Sequence, residues 1–221
     1  MINIIDKNIS KKNIIINNNN IFINYESNFL NSDESIAFLG PLYSYSHLAV
    51  LTYIDNFFIN KKIINVSCKS FFEIFFYIKQ DFVKLAVVPI YNNITGVITE
   101  VSKLLEINST YLYIKKNFKL PVKHCLVSNK KIFFKKIKKI YSHSEPLKQC
   151  SIFIKKNLSW ELKYCSSTSF AMHLIKNSSS KEKLAAIGNE TAANFYKLHI
   201  LKKNISNKKN NKTIFLVLKK H

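Results

Sequence analysis

Two kinds of hydrophobic repeat alternate along the chain from residue 35 onward. Short apolar runs typical of buried strands are followed by stretches in which apolar residues recur every three or four positions, as on one face of a helix. In the first half the runs predict strands over residues 36–40, 63–67 and 84–90. The predicted helices between and after them carry these apolar stripes: Leu48, Leu51, Ile54 and Phe58; Phe71, Ile74, Phe75 and Ile78; Val97, Val101, Leu104 and Leu105.

The same alternation continues through the second half of the chain. Strands are predicted in "VKHCLVS", "KIKKIYS", "WELKYC" and "LAAIG", with helices that start near Pro146, Ser169 and Glu190. A last strand is predicted in "NNKTIFLVLKK", residues 210–220. Strands that alternate with helices indicate an α/β protein with mainly parallel sheets.

Two blocks of this kind indicate two lobes joined by two crossings of the chain. Lobe one is expected to cover about residues 35–117 together with the last strand, about 211–220, and lobe two about 118–205. The outgoing crossing is assigned to "KKNFKLPVK", and the return crossing to a stretch rich in lysine and asparagine.

Residues 1–34 differ from the rest, because asparagine, isoleucine, lysine and serine dominate them. We expect a low-complexity extension that is poorly ordered or loosely docked. The start, "MINIIDKNIS", lacks the apolar stretch of a signal peptide, and no segment is apolar for long enough to span a bilayer. The four cysteines form no C-x-x-C pair, which favours free thiols in a reducing compartment: Cys68, Cys125, Cys150 and Cys165. A cytoplasmic protein without a metal site is expected.

The formal net charge of +21 raises the possibility of a nucleic-acid partner. All 34 basic residues are lysine, and they are spread over the whole chain. Lysine lacks the bidentate fork of arginine, and no nucleic-acid-binding motif organises these residues. A solvated basic surface is therefore favoured over a specific nucleic-acid binder, with weak polyanion binding expected at low salt.

Polar turns follow the predicted strands and lead into the predicted helices: "GPLYSYS", "YNNITG", "YSHSEP" and "CSSTS". In open α/β sheets ligands bind at this edge, and helix starts there suit anions. The alternative is purely structural, since Ser44, Ser144 and Ser169 could be helix N-caps and His47 and His143 ordinary surface histidines. All three glycines fall in such turns, which favours a shaped site for a small anion.

Six motifs occur in the order and spacing of the prephenate dehydratase family, and the resemblance covers about residues 35–220. They read "IAFLGPLYSYSHLAV", "LAVVPIYNNITGVITEV", "YSHSEPLKQCSIFI", "SSTSFAM", "LAAIGNETAANFYKL" and "NKTIFLVL". The resemblance implies a two-lobed α/β fold similar to type II periplasmic binding proteins, with the active site in the cleft between the lobes. It also implies a homodimer that needs no cofactor and converts prephenate to phenylpyruvate, water and carbon dioxide on the route to phenylalanine.

The resemblance also implies roles for individual residues. In the family's Thr-Arg-Phe motif the threonine is held to donate the proton, and this position is Thr213 here. The resemblance assigns substrate binding to the residues that match the family's polar turns: Ser44, Asn92, His143, Ser167 and Thr168.

The sequence departs from the family pattern at three of these turns. Ile214 stands where the family has arginine, Tyr91 where it has glutamate, and Tyr43 where the first turn has its second glycine. The bidentate carboxylate clamp is thus missing, so reduced activity is expected. Lys212 is the hypothetical replacement, although a neighbour of Thr213 in a strand points to the opposite face.

Longer family members carry a phenylalanine-sensing ACT domain or a chorismate mutase domain, and neither is matched here. The sequence therefore predicts an unregulated prephenate dehydratase catalytic domain. The alternative is a catalytically degenerate module of the same fold that binds small anions without converting them.

Overall fold

A computed structural model describes residues 3–6, 16–17, 20–21, 35–58, 63–157 and 159–221. Most of the predicted N-terminal extension, 1–34, lies outside the described residues. The described strands are β1 (Asn3–Asp6), β2 (Ile16–Asn17), β3 (Asn20–Ile21), β4 (Ser35–Leu39), β5 (Ile64–Cys68), β6 (Leu85–Asn92), β7 (Gly96–Val97), β8 (Leu112–Pro121), β9 (Cys125–Ser128), β10 (Lys139–Ser142), β11 (Glu161–Tyr164), β12 (Leu184–Gly188), β13 (His199–Lys202) and β14 (Lys212–Lys220). The described α-helices are α1 (Tyr45–Phe57), α2 (Phe71–Lys79), α3 (Thr99–Ile107), α4 (Ser144–Gln149), α5 (Ser151–Lys155), α6 (Thr168–Asn177) and α7 (Glu190–Phe195).

The chain divides into two compact units. Unit 1 comprises residues 1–120 and 212–221, and unit 2 comprises residues 121–211. Unit 2 is therefore one continuous segment inserted between strands β8 and β14 of unit 1.

Unit 1 is built around a seven-stranded sheet in the order β1-β5-β4-β6-β14-β8, with β7 paired to β6. Strands β1, β5, β4 and β6 run parallel, and β14 pairs antiparallel with β6. Successive strand residues point to opposite faces, so the sheet has an apolar core on each side. Phe38 and Val87 pack with helix α1 on one face, whereas Ala37 and Val88 pack with α2 and α3 on the other.

Helix α1 buries only part of the stripe that the spacing predicted, namely Ile54, with Phe58 packed partly buried against the same core. Its buried apolar residues are Ala49, Val50, Tyr53 and Ile54, while Leu48 and Leu51 are half-buried. The helix is apolar around most of its circumference, so helical spacing alone fits more than one face. Helix α2 buries the predicted stripe, although it also exposes two apolar side chains, Phe72 and Phe76.

The residues assigned to the outgoing crossing form part of a strand. Strand β8 covers Leu112–Pro121 and lies at the edge of the unit 1 sheet, next to β14. Most of its side chains are exposed, including those of Lys115, Lys116 and Lys119. Exposed lysines are common on edge strands, which explains why the hydrophobic pattern did not predict this strand.

Unit 2 has a five-stranded sheet in the order β11-β10-β12-β9-β13. Strands β11, β10 and β12 run parallel, while β9 runs antiparallel to both β12 and β13. One face packs Leu147, Ile154 and Trp160 against Ile140 and Ile187. On helix α6 the buried apolar residues are Ala171, Met172 and Ile175. Among the described helices, none is long and apolar enough to cross a membrane.

Replacing Phe75 by alanine should destabilise unit 1 by about 3–5 kcal/mol, because this ring is 2% exposed inside the core. Phe72 on the same helix is 68% exposed, so Phe72→Ala should change the unfolding free energy by only about 0.5 kcal/mol. Urea unfolding followed by circular dichroism measures both. Equal losses in the two variants would contradict the described packing of α2.

Candidate active site

The residues assigned to the site lie at the ends of strands in both units. Ser44, Asn92, Lys212 and Thr213 belong to unit 1; His143, Ser167 and Thr168 belong to unit 2. In unit 1, β4 and β6 are parallel neighbours, so Ser44 and Asn92 follow or end strands at the same edge of the sheet. Antiparallel β14 begins at that edge with Lys212 and Thr213.

Asn92 and Thr213 face each other across the β6–β14 ladder and are joined by their side chains. The amide nitrogen of Asn92 donates to the Thr213 hydroxyl oxygen at 2.9 Å, and both residues are buried. The same nitrogen lies 3.2 Å from the backbone carbonyl oxygen of Lys212. Thr213 is thus buried in a polar contact at the edge of the sheet.

The orientation of the Asn92 amide follows from the turn after β6. Its oxygen accepts from the backbone N–H groups of Ile94, at 2.9 Å, and Thr95, at 3.2 Å. An amide oxygen cannot donate, so these two bonds direct the NH₂ group towards Thr213. After this turn the chain reverses direction at Gly96, whose φ of 85° suits glycine. Strand β7, which begins at Gly96, then pairs antiparallel with β6.

The hydrogen bond from Asn92 determines which hydrogen bonds the Thr213 hydroxyl can still make. A hydroxyl has one proton and two lone pairs, and here the oxygen accepts from Asn92. The hydroxyl proton is therefore left to be donated to another oxygen. The amide can also stabilise negative charge that develops on the Thr213 oxygen when that proton leaves.

Lys212 is held through its backbone. Its N–H donates to the Asn93 side-chain oxygen at 2.8 Å, and its carbonyl accepts from the Asn93 N–H at 3.1 Å. Its side chain is exposed. Lys212 and Ile214 are two positions apart in β14 and so point to the same face, opposite to Thr213.

The two main departures from the family pattern face each other. Ile214 pairs with Tyr91 in the β6–β14 ladder, next to the Thr213–Asn92 pair. Residues directly opposite in an antiparallel pair have neighbouring side chains. The positions of the family's arginine and glutamate are therefore both uncharged and adjacent in this chain.

Ser44 is the N-cap residue of helix α1. Its hydroxyl donates to the Leu39 carbonyl at 3.2 Å and accepts from the His47 N–H at 3.3 Å, as an N-cap does. The preceding residue, Tyr43, has a φ of 63°, which costs a non-glycine residue about 1–2 kcal/mol.

In unit 2, the predicted residues follow the parallel strands β10 and β11. His143 caps α4 by accepting from the Glu145 N–H at 3.3 Å, and Ser167 caps α6 by accepting from the Phe170 N–H at 3.0 Å. Thr168 is the buried first residue of α6. Substrate contacts of these residues stay predictions.

Two further polar residues hold the turns that follow strands. The structural alternative for His47 was an ordinary surface or capped histidine, but His47 is fully buried in the first turn of α1. Its spacing from Val50 and Ile54 matches the buried face of the helix and could have indicated this. Asn189 follows β12 and caps α7 by accepting from the Ala192 N–H at 2.7 Å.

Metal ligands are not gathered anywhere in the described part of the chain, since no group of three His, Cys, Asp or Glu side chains could hold an ion. The hydroxyl and amide groups described above are proton donors and acceptors. The chemistry that they can provide is anion binding and proton transfer.

Two α/β units joined by two crossings, with hydroxyl and amide groups at strand ends, define a class of two-lobed α/β proteins. Within it, the sequence model of the prephenate dehydratase family matches residues 36–221. The chain therefore belongs to the prephenate dehydratase family. The predicted family and two-lobed α/β fold class are confirmed.

Known relatives show the same similarity. The bifunctional chorismate mutase/prephenate dehydratase of Buchnera aphidicola subsp. Acyrthosiphon pisum is 41% identical over 187 residues, which are 85% of this chain and 47% of that protein. The prephenate dehydratase of Methanocaldococcus jannaschii is 32% identical over 188 residues, 85% of this chain and 65% of that protein. The structure of the Staphylococcus aureus prephenate dehydratase matches with a TM-score of 0.70 at 26% identity, covering 84% of this chain and 66% of that one. The chain spans about half the length of the bifunctional relatives.

Acid should destabilise the protein through its buried histidines. Burial lowers the pKa of His47 from 6.5 to about 4, and burial also lowers the pKa of His124, which contacts Gln149. Between the pKa of His47 in the folded protein, about 4, and its ordinary value of 6.5, the unfolded chain binds more protons than the folded one. The free energy of unfolding therefore falls as the pH drops from about 6.5 towards 4. For His47 alone, the loss between pH 7 and pH 5 should be about 2 kcal/mol.

Urea unfolding at both pH values measures this effect. A His47→Leu variant should show a smaller loss on acidification than the wild type. His173→Gln, which changes an exposed histidine, serves as the control and should keep the wild-type loss. An unchanged pH dependence in His47→Leu would contradict the assignment.

Proposed function

We propose that this chain is a prephenate dehydratase, a carbon–oxygen lyase that converts prephenate to phenylpyruvate. The observation that carries the proposal is the buried Asn92–Thr213 hydrogen bond, at 2.9 Å, on motifs that match the family. It supplies a threonine proton donor with an amide placed to stabilise the oxygen that the proton leaves.

The proposed reaction needs one proton and no cofactor. The ring carboxylate leaves as carbon dioxide, and the electron pair of its carbon–carbon bond enters the ring. The bond from the ring to its hydroxyl oxygen breaks, and that oxygen takes the Thr213 proton and departs as water. Thr213 then recovers a proton from solvent, while aromatisation of the ring drives the reaction.

The substrate's carboxylates require positive charge or hydrogen-bond donors. The position of the family's arginine is Ile214, and the opposing residue is Tyr91, so neither side chain supplies a positive charge. Lys212 lies on the same face as Ile214, with an exposed side chain. We therefore assign a substrate carboxylate to Lys212, and reduced activity follows because lysine makes a single point contact. Ser44, His143, Ser167 and Thr168 are assigned to substrate binding on their family positions.

Compartment and assembly are part of the proposal. A homodimer in the cytoplasm is expected, with no membrane or specific nucleic-acid partner. Burial raises the pKa of Cys125 and of Cys150 to about 12, so both thiols stay protonated at neutral pH. Unreactive thiols are consistent with a reducing compartment.

Thr213→Val should lower kcat about 10²–10⁴-fold, because it removes the proton donor. Folding should survive, since the Asn92 amide still has the Lys212 carbonyl as an acceptor. Thr213→Ser keeps a hydroxyl and should retain most activity. Phenylpyruvate formation from prephenate at neutral pH is the measurement.

Thr52→Val is the matched control, because the Thr52 hydroxyl bonds only within helix α1 to the Leu48 carbonyl. It should keep wild-type turnover. Wild-type activity in Thr213→Val would refute the role of Thr213. A wild-type protein that binds prephenate without converting it would refute the proposed function and indicate the degenerate binding module.

Lys212→Gln should raise KM for prephenate about 30-fold, the effect of losing a charge-assisted contact of about 2 kcal/mol. Adding Ile214→Arg to this variant should restore affinity, because it places a cation two positions along the same face. Lys219→Gln, at the other end of β14, is the control and should leave KM unchanged. If Lys212→Gln binds prephenate normally, another group holds the carboxylate.

A further inference from the structure

His47 lies between the turn after β4 and the core of unit 1. Its imidazole is fully buried and stacks on Phe38, with ring centroids 4.9 Å apart and an interplanar angle of 22°. The Tyr43 ring meets it edge-on at 5.4 Å. The imidazole position is therefore fixed by aromatic contacts on two sides.

The hydrogen bonds of His47 fix its tautomer. Its Nδ1 accepts from the backbone N–H of Tyr43 at 2.9 Å, so Nδ1 carries a lone pair and the proton of the neutral ring is on Nε2. Among the described residues, Nε2 is buried without a hydrogen-bond partner. The bond to Tyr43 is thus the polar contact that the imidazole makes in the structure described here.

The backbone that His47 holds is unusual. Tyr43 has a φ of 63°, in the left-handed region that a residue with a side chain rarely adopts. The next residue is Ser44, whose oxygen accepts from the His47 N–H at 3.3 Å. His47 therefore contacts both residues of the turn, Tyr43 through its ring and Ser44 through its backbone.

We propose that His47 is a positioning residue, which holds Tyr43 in its left-handed conformation and so places Ser44 for substrate binding. The inference rests on the proposed function, because it assigns Ser44 to the site for prephenate. It deepens that function by extending the site to a buried residue of α1 that does not itself touch the substrate.

Three variants test the role through prephenate turnover. His47→Leu removes the acceptor and should raise KM at least 10-fold, with a smaller change in kcat. His47→Asn keeps an acceptor near the position of Nδ1 and should stay within about 3-fold of the wild type. Tyr43→Gly added to His47→Leu should recover most of the lost KM, because glycine adopts a positive φ without being held.

Val50→Ala is the matched control, since Val50 is buried on the same helix and touches the same core. It should lower the melting temperature without raising KM. If His47→Leu leaves KM unchanged, or if Tyr43→Gly fails to restore it, His47 has no positioning role. A wild-type protein without turnover would instead refute the proposed function.

A measurement on the wild type keeps the inference testable if His47→Leu does not fold. The ¹⁵N chemical shifts of the His47 ring at neutral pH should show a protonated Nε2 and an unprotonated Nδ1. A proton on Nδ1 would exclude the bond from the Tyr43 N–H and overturn the inference.

Discussion

Strand β14 pairs antiparallel with β6, although the two meet through residues 121 positions apart in the sequence. This pairing brings the last strand of the chain back into unit 1 after the whole of unit 2. It also contributes residues to both faces of the sheet, with Phe215 packed on one side and Leu216 on the other. The candidate proton donor sits at the start of that same pairing, so its position depends on the register that the two cores impose.

Register also brings together the two main departures from the family pattern. Ile214 and Tyr91 are opposite each other, so both positions are uncharged at one point of the β6–β14 ladder. Lys212 lies two positions from Ile214 and on the same face of β14. Under the proposed function, this lysine supplies the cation for a carboxylate of the substrate.

The sequence predicted where the helices lie better than which face each helix buries. The stripe of α2 was correct although Phe72 and Phe76 are equally apolar and lie exposed, whereas α1 is apolar on several sides and only Ile54 of its predicted stripe is fully buried. Strand β8 was missed because an edge strand pairs with one neighbour and exposes lysines, which removes the alternation of a half-buried strand. The Asn92–Thr213 contact could not come from any local pattern, since it joins distant residues. Only the family resemblance linked these two residues to one site.

A threonine hydroxyl is a weak acid, so it can donate its proton only if the oxygen left behind is stabilised as charge develops. The Asn92 amide does this best if it does not have to reorient during the reaction. Two backbone N–H groups, of Ile94 and Thr95, hold the amide oxygen and leave the NH₂ group facing Thr213. The turn after β6 is thus part of the candidate catalytic apparatus. These two bonds are made by the Asn92 side chain and not by Tyr91, so the contact to the candidate proton donor does not depend on the side chain of the residue before Asn92.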